Sequence, residues 1–390
     1  MTSLAPLVEG RNVLVCCGSG GVGKTTTAAA IAFEAARRGR RACVVTIDPA
    51  KRLADALGLE GLTNTPGRID GDWSGELWAM MLDTKSTFDS LVHAYSDTAE
   101  QADSILRNRL YRNISGALSG TQEYMAMEKL YELHESGAKR PDGSPVRFDL
   151  VVVDTPPTRR ALDFIDAPRR LTRFLDNRIF RLLMMPTRAY LKAVSFATQA
   201  FLRTISRVVG SEVVTDAVAF FQAFEGMEEG FRRRAERVLQ LLSAGETGFI
   251  VVTSPRKDAV EEAVFFAGKL EEAKIEVAAL IVNRLHPRFE AGPSSSPVDP
   301  AAGPQSVPLA GPTLTGSGAL RARASTFARQ PLGALYANLA DFAQVAEAEE
   351  GHFAVLARRV APAPVARVPF LAADVHDLKG IQEVGEHLFA

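Results

Sequence analysis

The chain has 390 residues, of which 46% are hydrophobic and 23% are charged, and its net charge at pH 7 is −1. This length suits one large α/β domain with insertions, or two domains, and it is enough to bury a substantial core. The balanced charge gives no overall field for nucleic acid or an anionic membrane, so neither is an expected binding partner through global electrostatics.

Only three cysteines occur, at Cys16, Cys17 and Cys43, and no C-x-x-C pair is present. We therefore expect neither a zinc site nor an iron–sulfur cluster. The cysteines fall on two predicted strands, where a free thiol usually behaves as a small buried hydrophobe. Because the first residues lack the apolar segment of a signal peptide, and no apolar run reaches about 18 residues, we expect a cytoplasmic protein.

The most informative stretch is residues 13–27, where a β-branched run precedes a glycine-rich loop and a helix-forming sequence. Residues 18–25 match the P-loop pattern G-x-x-x-x-G-K-[ST]. Such a loop wraps phosphate oxygens with backbone N–H groups, while Lys24 reaches the β/γ-phosphates and the Thr25 hydroxyl binds Mg²⁺. A chance match is disfavoured because strand and helix flank the loop. The predicted nucleotide-binding residues here are Gly20, Gly21, Val22, Gly23, Lys24, Thr25 and Thr26.

Two acids follow predicted buried strands. Residues 41–47 lead into Asp48, and residues 148–154 end in Asp154. A carboxylate at the end of a parallel strand faces the ligand crevice of an α/β sheet. Asp154 fits the Walker-B role of holding Mg²⁺ directly or through water. Asp48 has an alternative interpretation as a cap of the helix that follows it.

Strands alternate with helices along the rest of the chain, which predicts an α/β fold with a mostly parallel sheet flanked by helices. Residues 291–318 are rich in Pro, Gly and Ser and are predicted to be a disordered loop. The amphipathic stretch 166–244 could pack on the domain or form a groove. Further predicted strands are 77–83, 249–253, 277–282 and 365–371; further predicted helical regions are 84–135, 257–273, 320–360 with breaks at Pro331 and Gly351, and 374–389.

Three segments together resemble the ArsA-type ATPases, which include arsenite-pump and tail-anchored-protein targeting ATPases. They are GSGGVGKTTT from Gly18, DPAKRLADALG from Asp48 and DTPPTRRALDFIDAP from Asp154. The resemblance continues through VVTSPRKDAVEEA and IVNRLHP and covers most of the chain outside residues 291–318. CCGSGGVGKTTTAAA and GTQEYMAMEKL further resemble a bacterial branch of the family. The resemblance implies one P-loop NTPase domain over residues 1–390, with helical insertions at about 84–137 and 171–243.

The resemblance also implies roles for single residues, with ATP and Mg²⁺ as the bound groups. Asp48 matches the switch I acid that positions the attacking water, and Lys24 matches the phosphate-binding lysine. Asp154 matches the switch II acid near magnesium. Asn283 matches the asparagine that reads the adenine, and the adenine-side loop corresponds to Pro369 and Phe370.

The sequence departs from the family pattern at the second P-loop position. Family members usually carry a lysine there that reaches the partner's nucleotide in a dimer, whereas this chain has Ser19. Arg159 or Arg160, which replace the Gly-His of switch II, are candidate substitute cations. Alternatively, the chain pairs with a paralogue that supplies the lysine, which is the account we favour, or it hydrolyses ATP slowly as a regulated switch.

The resemblance leaves several functions open. The first is a dimeric Mg-ATPase that couples nucleotide state to the handling of a client protein or membrane partner, and the second is a slow-hydrolysing, nucleotide-gated regulatory subunit. An arsenite-efflux ATPase and a membrane-protein targeting factor are further alternatives. Arsenite binding needs soft thiolates, and the three cysteines are predicted on buried strands. A partition-type ATPase is disfavoured because the chain lacks a basic amphipathic C-terminal helix.

Overall fold

The computed structural model describes residues 3–47, 52–114, 121–140, 142–157, 166–170, 172–173, 176, 216, 219–220, 222–224, 226–287, 316–326 and 331–390. Three of the predicted site residues, Asp48, Arg159 and Arg160, lie outside these ranges. So do residues 291–315 of the predicted loop and most of the predicted insertion at 171–243.

An eight-stranded sheet forms the centre of the protein, with strand order β10-β9-β8-β1-β7-β2-β4-β3. Neighbouring strands are parallel except β3 and β4. This confirms the predicted, mostly parallel α/β sheet. The strands are β1 Val13–Cys17, β2 Arg41–Thr46, β3 Gly67–Ile69, β4 Glu76–Met81, β7 Leu150–Asp154, β8 Thr247–Thr253, β9 Val277–Leu285 and β10 Val365–Pro369; the short pair β5 Ala138–Lys139 and β6 Pro145–Val146 forms a separate antiparallel hairpin.

Helices cover both faces of the sheet. In the described ranges, none of them combines the length and hydropathy needed to span a bilayer. They are α1 Ala5–Gly10, α2 Lys24–Arg37, α3 Arg52–Ala56, α4 Thr84–Tyr95, α5 Ala99–Arg107, α6 Arg109–Ile114, α7 Thr121–Ser136, α8 Glu228–Ser243, α9 Lys257–Glu272, α10 Ser317–Thr326, α11 Pro331–Arg359 and α12 Leu378–Phe389.

The central strands are buried on both faces, which explains their continuous apolar sequences. Val13, Val15 and Cys17 belong to a core shared with α7, α8, α9 and α11. Leu14 and Cys16, on the alternate side of the same strand, belong to a second core shared with α2 and α12. All three cysteines are buried, as predicted. The opposite faces of β1 are therefore packed against different helices.

Helix α2 is built largely of alanine, the best helix former, and its alanines at positions 28–30, 32, 35 and 36 are all buried. These small side chains allow the helix backbone to lie close to the sheet. Gly39, with φ +88, follows the helix, a position where glycine commonly ends a helix. Close packing of α2 fixes the end of the glycine-rich loop that precedes it.

Three predicted boundaries are wrong. Helix α11 runs through Gly351, because Phe353 and Leu356 just beyond it are buried in the core, and this packing outweighs a glycine penalty of about 1 kcal/mol. Helix α10 starts at Ser317, inside the predicted loop 291–318. Helix α12 starts at Leu378, after the position predicted, because its N-cap is Asp377, whose side chain accepts a hydrogen bond from the Gly380 N–H.

Candidate nucleotide-binding site

The glycine-rich loop lies between the carboxyl end of β1 and the first turn of α2, as the sequence predicts. Gly23 has φ +93, and a Cβ placed on it would lie 2.1 Å from Asn283 Nδ2. A Cβ on Gly18 would lie 2.0 Å from the carbonyl oxygen of Val252 in β8. Both positions therefore exclude any side chain. At Gly23 the reasons are the positive φ and the contact with Asn283, and at Gly18 the reason is the contact with Val252 alone. The loop is held close to β8 and β9.

Lys24 is directed back over its own loop. It is the first residue of α2, its exposure is only 7%, and its Nζ donates to the carbonyl oxygen of Ser19 at 2.9 Å. Ser19 is equally buried, and its Oγ has no hydrogen-bond partner among the described residues. The ammonium group is thus held at the loop where a phosphate chain would bind.

Two threonine hydroxyls converge on Asp154, the last residue of β7. Thr25 Oγ1 donates to Asp154 Oδ2 at 2.7 Å, and Thr46 Oγ1 donates to the same oxygen at 2.9 Å. Asp154 and Thr46 are each only 1% exposed. The structure therefore brings together the two residues predicted to hold Mg²⁺. Thr46 was missed by the sequence analysis, although a hydroxyl at the last position of a buried strand was a usable signal.

The donor set at this point fits magnesium. A carboxylate and a hydroxyl are hard oxygen ligands, which Mg²⁺ prefers. In the described part of the chain, no group of three or more His, Cys, Asp or Glu side chains is placed to hold a metal ion by itself. Mg²⁺ does not require one, because it usually keeps several waters and binds one or two protein oxygens plus substrate phosphates. The residues present are thus suited to a metal that arrives with a nucleotide.

The three cysteines have environments that oppose thiolate formation. Burial raises the pKa of Cys17 to about 12 and raises the pKa values of Cys16 and Cys43 as well. Thiolates are the form of cysteine that binds soft metals and metalloids. Cys16 and Cys17 also lie in different cores, on opposite faces of β1. These thiols act as core hydrophobes beside the loop.

Asn283 contacts the glycine-rich loop from β9. Its Nδ2 donates to the carbonyl oxygen of Val22 at 2.9 Å, and its Oδ1 accepts from the N–H of Arg284 at 2.9 Å. In β10, Val368 is paired in register with Asn283, so the predicted adenine-side residues Pro369 and Phe370 follow directly. Asn283 is thus the residue of the three that contacts the loop, while Pro369 and Phe370 lie at the end of the neighbouring strand and are joined to β9 at Leu285.

A histidine that the sequence analysis missed lies next to Phe370. The His286 ring meets the Phe370 ring edge-to-face with 5.4 Å between centroids. The Glu349 carboxylate lies 2.7 Å from His286 Nδ1 and accepts from the His286 backbone N–H at 2.9 Å. Phe370 donates its own N–H to the carbonyl oxygen of Leu285 at 2.8 Å and is 52% exposed. Helix α11 thus holds the chain just after β9, and the exposed Phe370 ring, which follows β10, packs against the histidine held there.

Comparison with known proteins identifies the family. Residues 11–295 match the family model described as anion-transporting ATPase, which is more than half of the chain. The chain belongs to the anion-transporting ATPase family. This confirms the ArsA-type resemblance, and the protein is accordingly an ATPase. The matched residues include the glycine-rich loop, Thr46, Asp154 and Asn283, whereas Glu349 and Phe370 lie outside them.

Several curated ATPases are similar to this member of the family. A putative arsenical pump-driving ATPase 2 of Aquifex aeolicus is 24% identical over 69% of this chain and 79% of its own length. An ATPase ASNA1 homolog of Dictyostelium discoideum is 25% identical over 69% of this chain and 70% of its own. The ATPase GET3C of Arabidopsis thaliana is 25% identical over 74% and 73%, respectively. The likeness extends well beyond the phosphate-binding loop.

Proposed function

We propose that this protein is a Mg²⁺-dependent ATPase that couples its nucleotide state to dimer conformation and to the handling of a client or partner. The observation that carries the proposal is the contact of Thr25 and Asp154 at 2.7 Å beside a glycine-rich loop that excludes side chains. This arrangement matches the magnesium side of a P-loop site. The substrate is ATP, which is hydrolysed to ADP and phosphate.

The roles of the site residues follow from phosphoryl transfer, which depends on positioning and on neutralising charge at the γ-phosphoryl group. Lys24 binds the phosphate oxygens, and Thr25 and Asp154 hold Mg²⁺ or its water. Bound Mg²⁺ would supply further positive charge to the phosphates. Asp48 orients the attacking water. The remaining phosphate contacts come from the loop backbone at Gly20, Gly21, Val22, Gly23 and Thr26.

The adenine side of the site is assigned to Asn283, Pro369 and Phe370. Support comes from the placement of these residues at adjacent strand ends and from the half-exposed ring of Phe370. An exposed aromatic ring offers a stacking surface for a base. The Asn283 amide at present donates to Val22, so base binding would require it to exchange or share that hydrogen bond.

A single domain over residues 1–390 is part of the proposal. Leu4 and Leu388 lie in the same core, and the Leu4 N–H donates to the Leu388 carbonyl at 3.4 Å. The helical insertions at about 84–137 and 171–243 would form the client-handling part. In support, Leu91, Tyr111 and Phe224 belong to a separate hydrophobic cluster, apart from the two cores on the sheet.

Pairing with a paralogue that carries the P-loop lysine would supply a cation that this chain lacks at Ser19 and that would stabilise the negative charge on the transferring phosphoryl group. Ser19 supplies no cation, and its side chain is buried within its own chain. A cation provided in trans is worth about 10³–10⁵ in rate in related chemistry. Arg159 and Arg160, next to switch II, are the alternative source of charge. A second candidate function, a slow-hydrolysing regulatory subunit, is favoured by the same absence of a cation at Ser19.

The test measures ATP turnover by the purified chain alone and with a paralogue that carries the P-loop lysine. We expect a large increase with the paralogue; full turnover by the chain alone as a homodimer would contradict the pairing.

Asp48→Asn separates the two candidate functions. It should abolish the function of an ATPase while ATP still binds, but it should change a slow regulatory subunit little.

Two other experiments address the remaining alternatives. Stimulation of ATP hydrolysis by arsenite that is lost on replacing the three cysteines would identify an efflux role. Crosslinking of Leu183 or Phe196 to bound peptides would identify a targeting role.

A further inference from the structure

Thr46 is tied into the site from both its side chain and its backbone. Its Oγ1 donates to Asp154 Oδ2 at 2.9 Å, and its carbonyl oxygen accepts from the Leu82 N–H at 2.9 Å. The next residue, Ile47, donates its N–H to the Asp154 carbonyl at 3.2 Å. Thr46 and Asp154 are also paired in register between β2 and β7. The hydroxyl is therefore held in a fixed position relative to the carboxylate.

We propose that Thr46 is a positioning residue for the magnesium side of the ATP site, acting through the Asp154 carboxylate. This inference rests on the proposed Mg²⁺-dependent function. Two hydroxyls donate to one carboxylate oxygen, Oδ2, and together they fix the rotation of the group about its Cβ–Cγ bond.

The two donors have different tasks. The Thr25 hydroxyl is expected to contact Mg²⁺ itself, so its position changes with the presence of the metal. Thr46 lies on a buried strand and has the task of holding Asp154 rather than the metal, so we expect it to hold that carboxylate both with and without Mg²⁺. Outer-shell partners of this kind typically contribute about 10- to 100-fold to metal affinity. Loss of the Thr46 hydroxyl should thus weaken Mg²⁺ binding more than binding of the nucleotide alone.

The experiment uses the full chain and a fluorescent ATP analogue, N-methylanthraniloyl-ATP. Binding of the analogue is measured first in EDTA and then as a function of Mg²⁺ concentration. For Thr46→Val and Thr46→Ala, we expect unchanged affinity in EDTA and a rise of about 10-fold or more in the Mg²⁺ concentration at half-effect. Thr46→Ser, which keeps the hydroxyl and loses only the methyl group, should stay within about threefold of the wild type.

Thr247→Val is the matched control. Thr247 is also a buried strand threonine with a side-chain hydrogen bond, to the Leu241 carbonyl at 2.6 Å, but it is the first residue of β8 and is paired with Val13 at the start of β1, so it lies at the end of the strands away from Asp154. It should lose stability without a change in Mg²⁺ dependence. An unchanged Mg²⁺ dependence in Thr46→Val and Thr46→Ala would overturn the role of Thr46 alone. Nucleotide binding by the wild type without any Mg²⁺ dependence would overturn the proposed function, and this inference with it.

Discussion

A buried ion pair between α7 and α8 predicts a large and pH-dependent loss of stability when its cation is removed. Arg234 Nε and Nη2 lie 2.6 and 2.5 Å from Glu128 Oε1. The Glu128 side chain is 1% exposed and that of Arg234 is 20% exposed. The guanidinium carbon also lies 4.0 Å from the centre of the Tyr131 ring. Arg234→Met keeps much of the side-chain volume and leaves Glu128 buried without its partner.

The magnitude is set by how Glu128 responds. An unpaired buried charge costs about 3–5 kcal/mol. The carboxyl can limit this cost by taking up a proton, which from an ordinary pKa of 4.5 costs about 3.4 kcal/mol at pH 7. Burial already raises the pKa of Glu128, and Arg234 opposes that rise. Because part of this cost is already present in the wild type, we expect Arg234→Met to lower the free energy of unfolding by up to about 3 kcal/mol at pH 7.

The sign of the pH dependence follows from the raised pKa. With Arg234 removed, folded Glu128 retains its proton at pH values where the unfolded chain has lost it. The folded state then binds more protons, so stability falls as pH rises above the unfolded pKa. The deficit of the variant should shrink to about 1 kcal/mol at pH 5. Urea unfolding followed by circular dichroism at pH 7 and pH 5 measures both values.

Two variants control this measurement. Arg233→Met removes the neighbouring arginine on the same helix, whose side chain is 65% exposed and pairs with Glu229 at 3.6 Å. It should cost less than about 1 kcal/mol. Glu128→Leu combined with Arg234→Met should recover most of the loss, because the uncompensated charge is gone. A deficit below about 1 kcal/mol at pH 7, or one that does not change with pH, would refute the reasoning.

Two further predictions concern the glycine-rich loop and a half-exposed ion pair. Gly23→Ala should weaken nucleotide binding more than about tenfold, because the φ of Gly23 is +93 and the new Cβ would clash with Asn283. The control is Gly143→Ala, where φ is +84 but the space around the Cβ is open, and it should leave nucleotide affinity unchanged. Equal effects of the two substitutions in a nucleotide titration would contradict this prediction. Arg41 hydrogen bonds lower the pKa of Asp149, so the pair stabilises the fold above about pH 4 and this contribution fades as pH falls through the lowered pKa. Asp149→Asn should cost up to about 1 kcal/mol in urea unfolding at pH 7, and this cost should decrease steadily as the pH falls below about 4; a deficit that does not decrease below pH 4 would show another cause.

Much of the candidate site could be predicted because its determinants are local. The glycine-rich loop carries its own spacing, and Asp154 closes a strongly apolar strand. Thr25 and Asp154 meet because β1 and β7 are adjacent, with Cys16 opposite Asp154. By contrast, His286 and Glu349 are 63 positions apart in the chain, and no short pattern predicts their contact. The continuation of α11 through Gly351 depends on packing against other helices, which propensity alone does not include.

Pairing of the sheet strands fixes the position of Asp154, which we propose as a magnesium ligand. Asp154 is paired in register with Cys16 on one side and with Thr46 on the other. The next residue, Thr155, donates its hydroxyl to the Cys16 carbonyl at 2.8 Å. Strand pairing and hydrogen bonds thus join three neighbouring strand ends around one carboxylate. Thr46→Val removes one of these hydrogen bonds and should therefore lower metal affinity. The remaining bonds should preserve the fold, so the effect on metal affinity can be measured separately from any effect on stability.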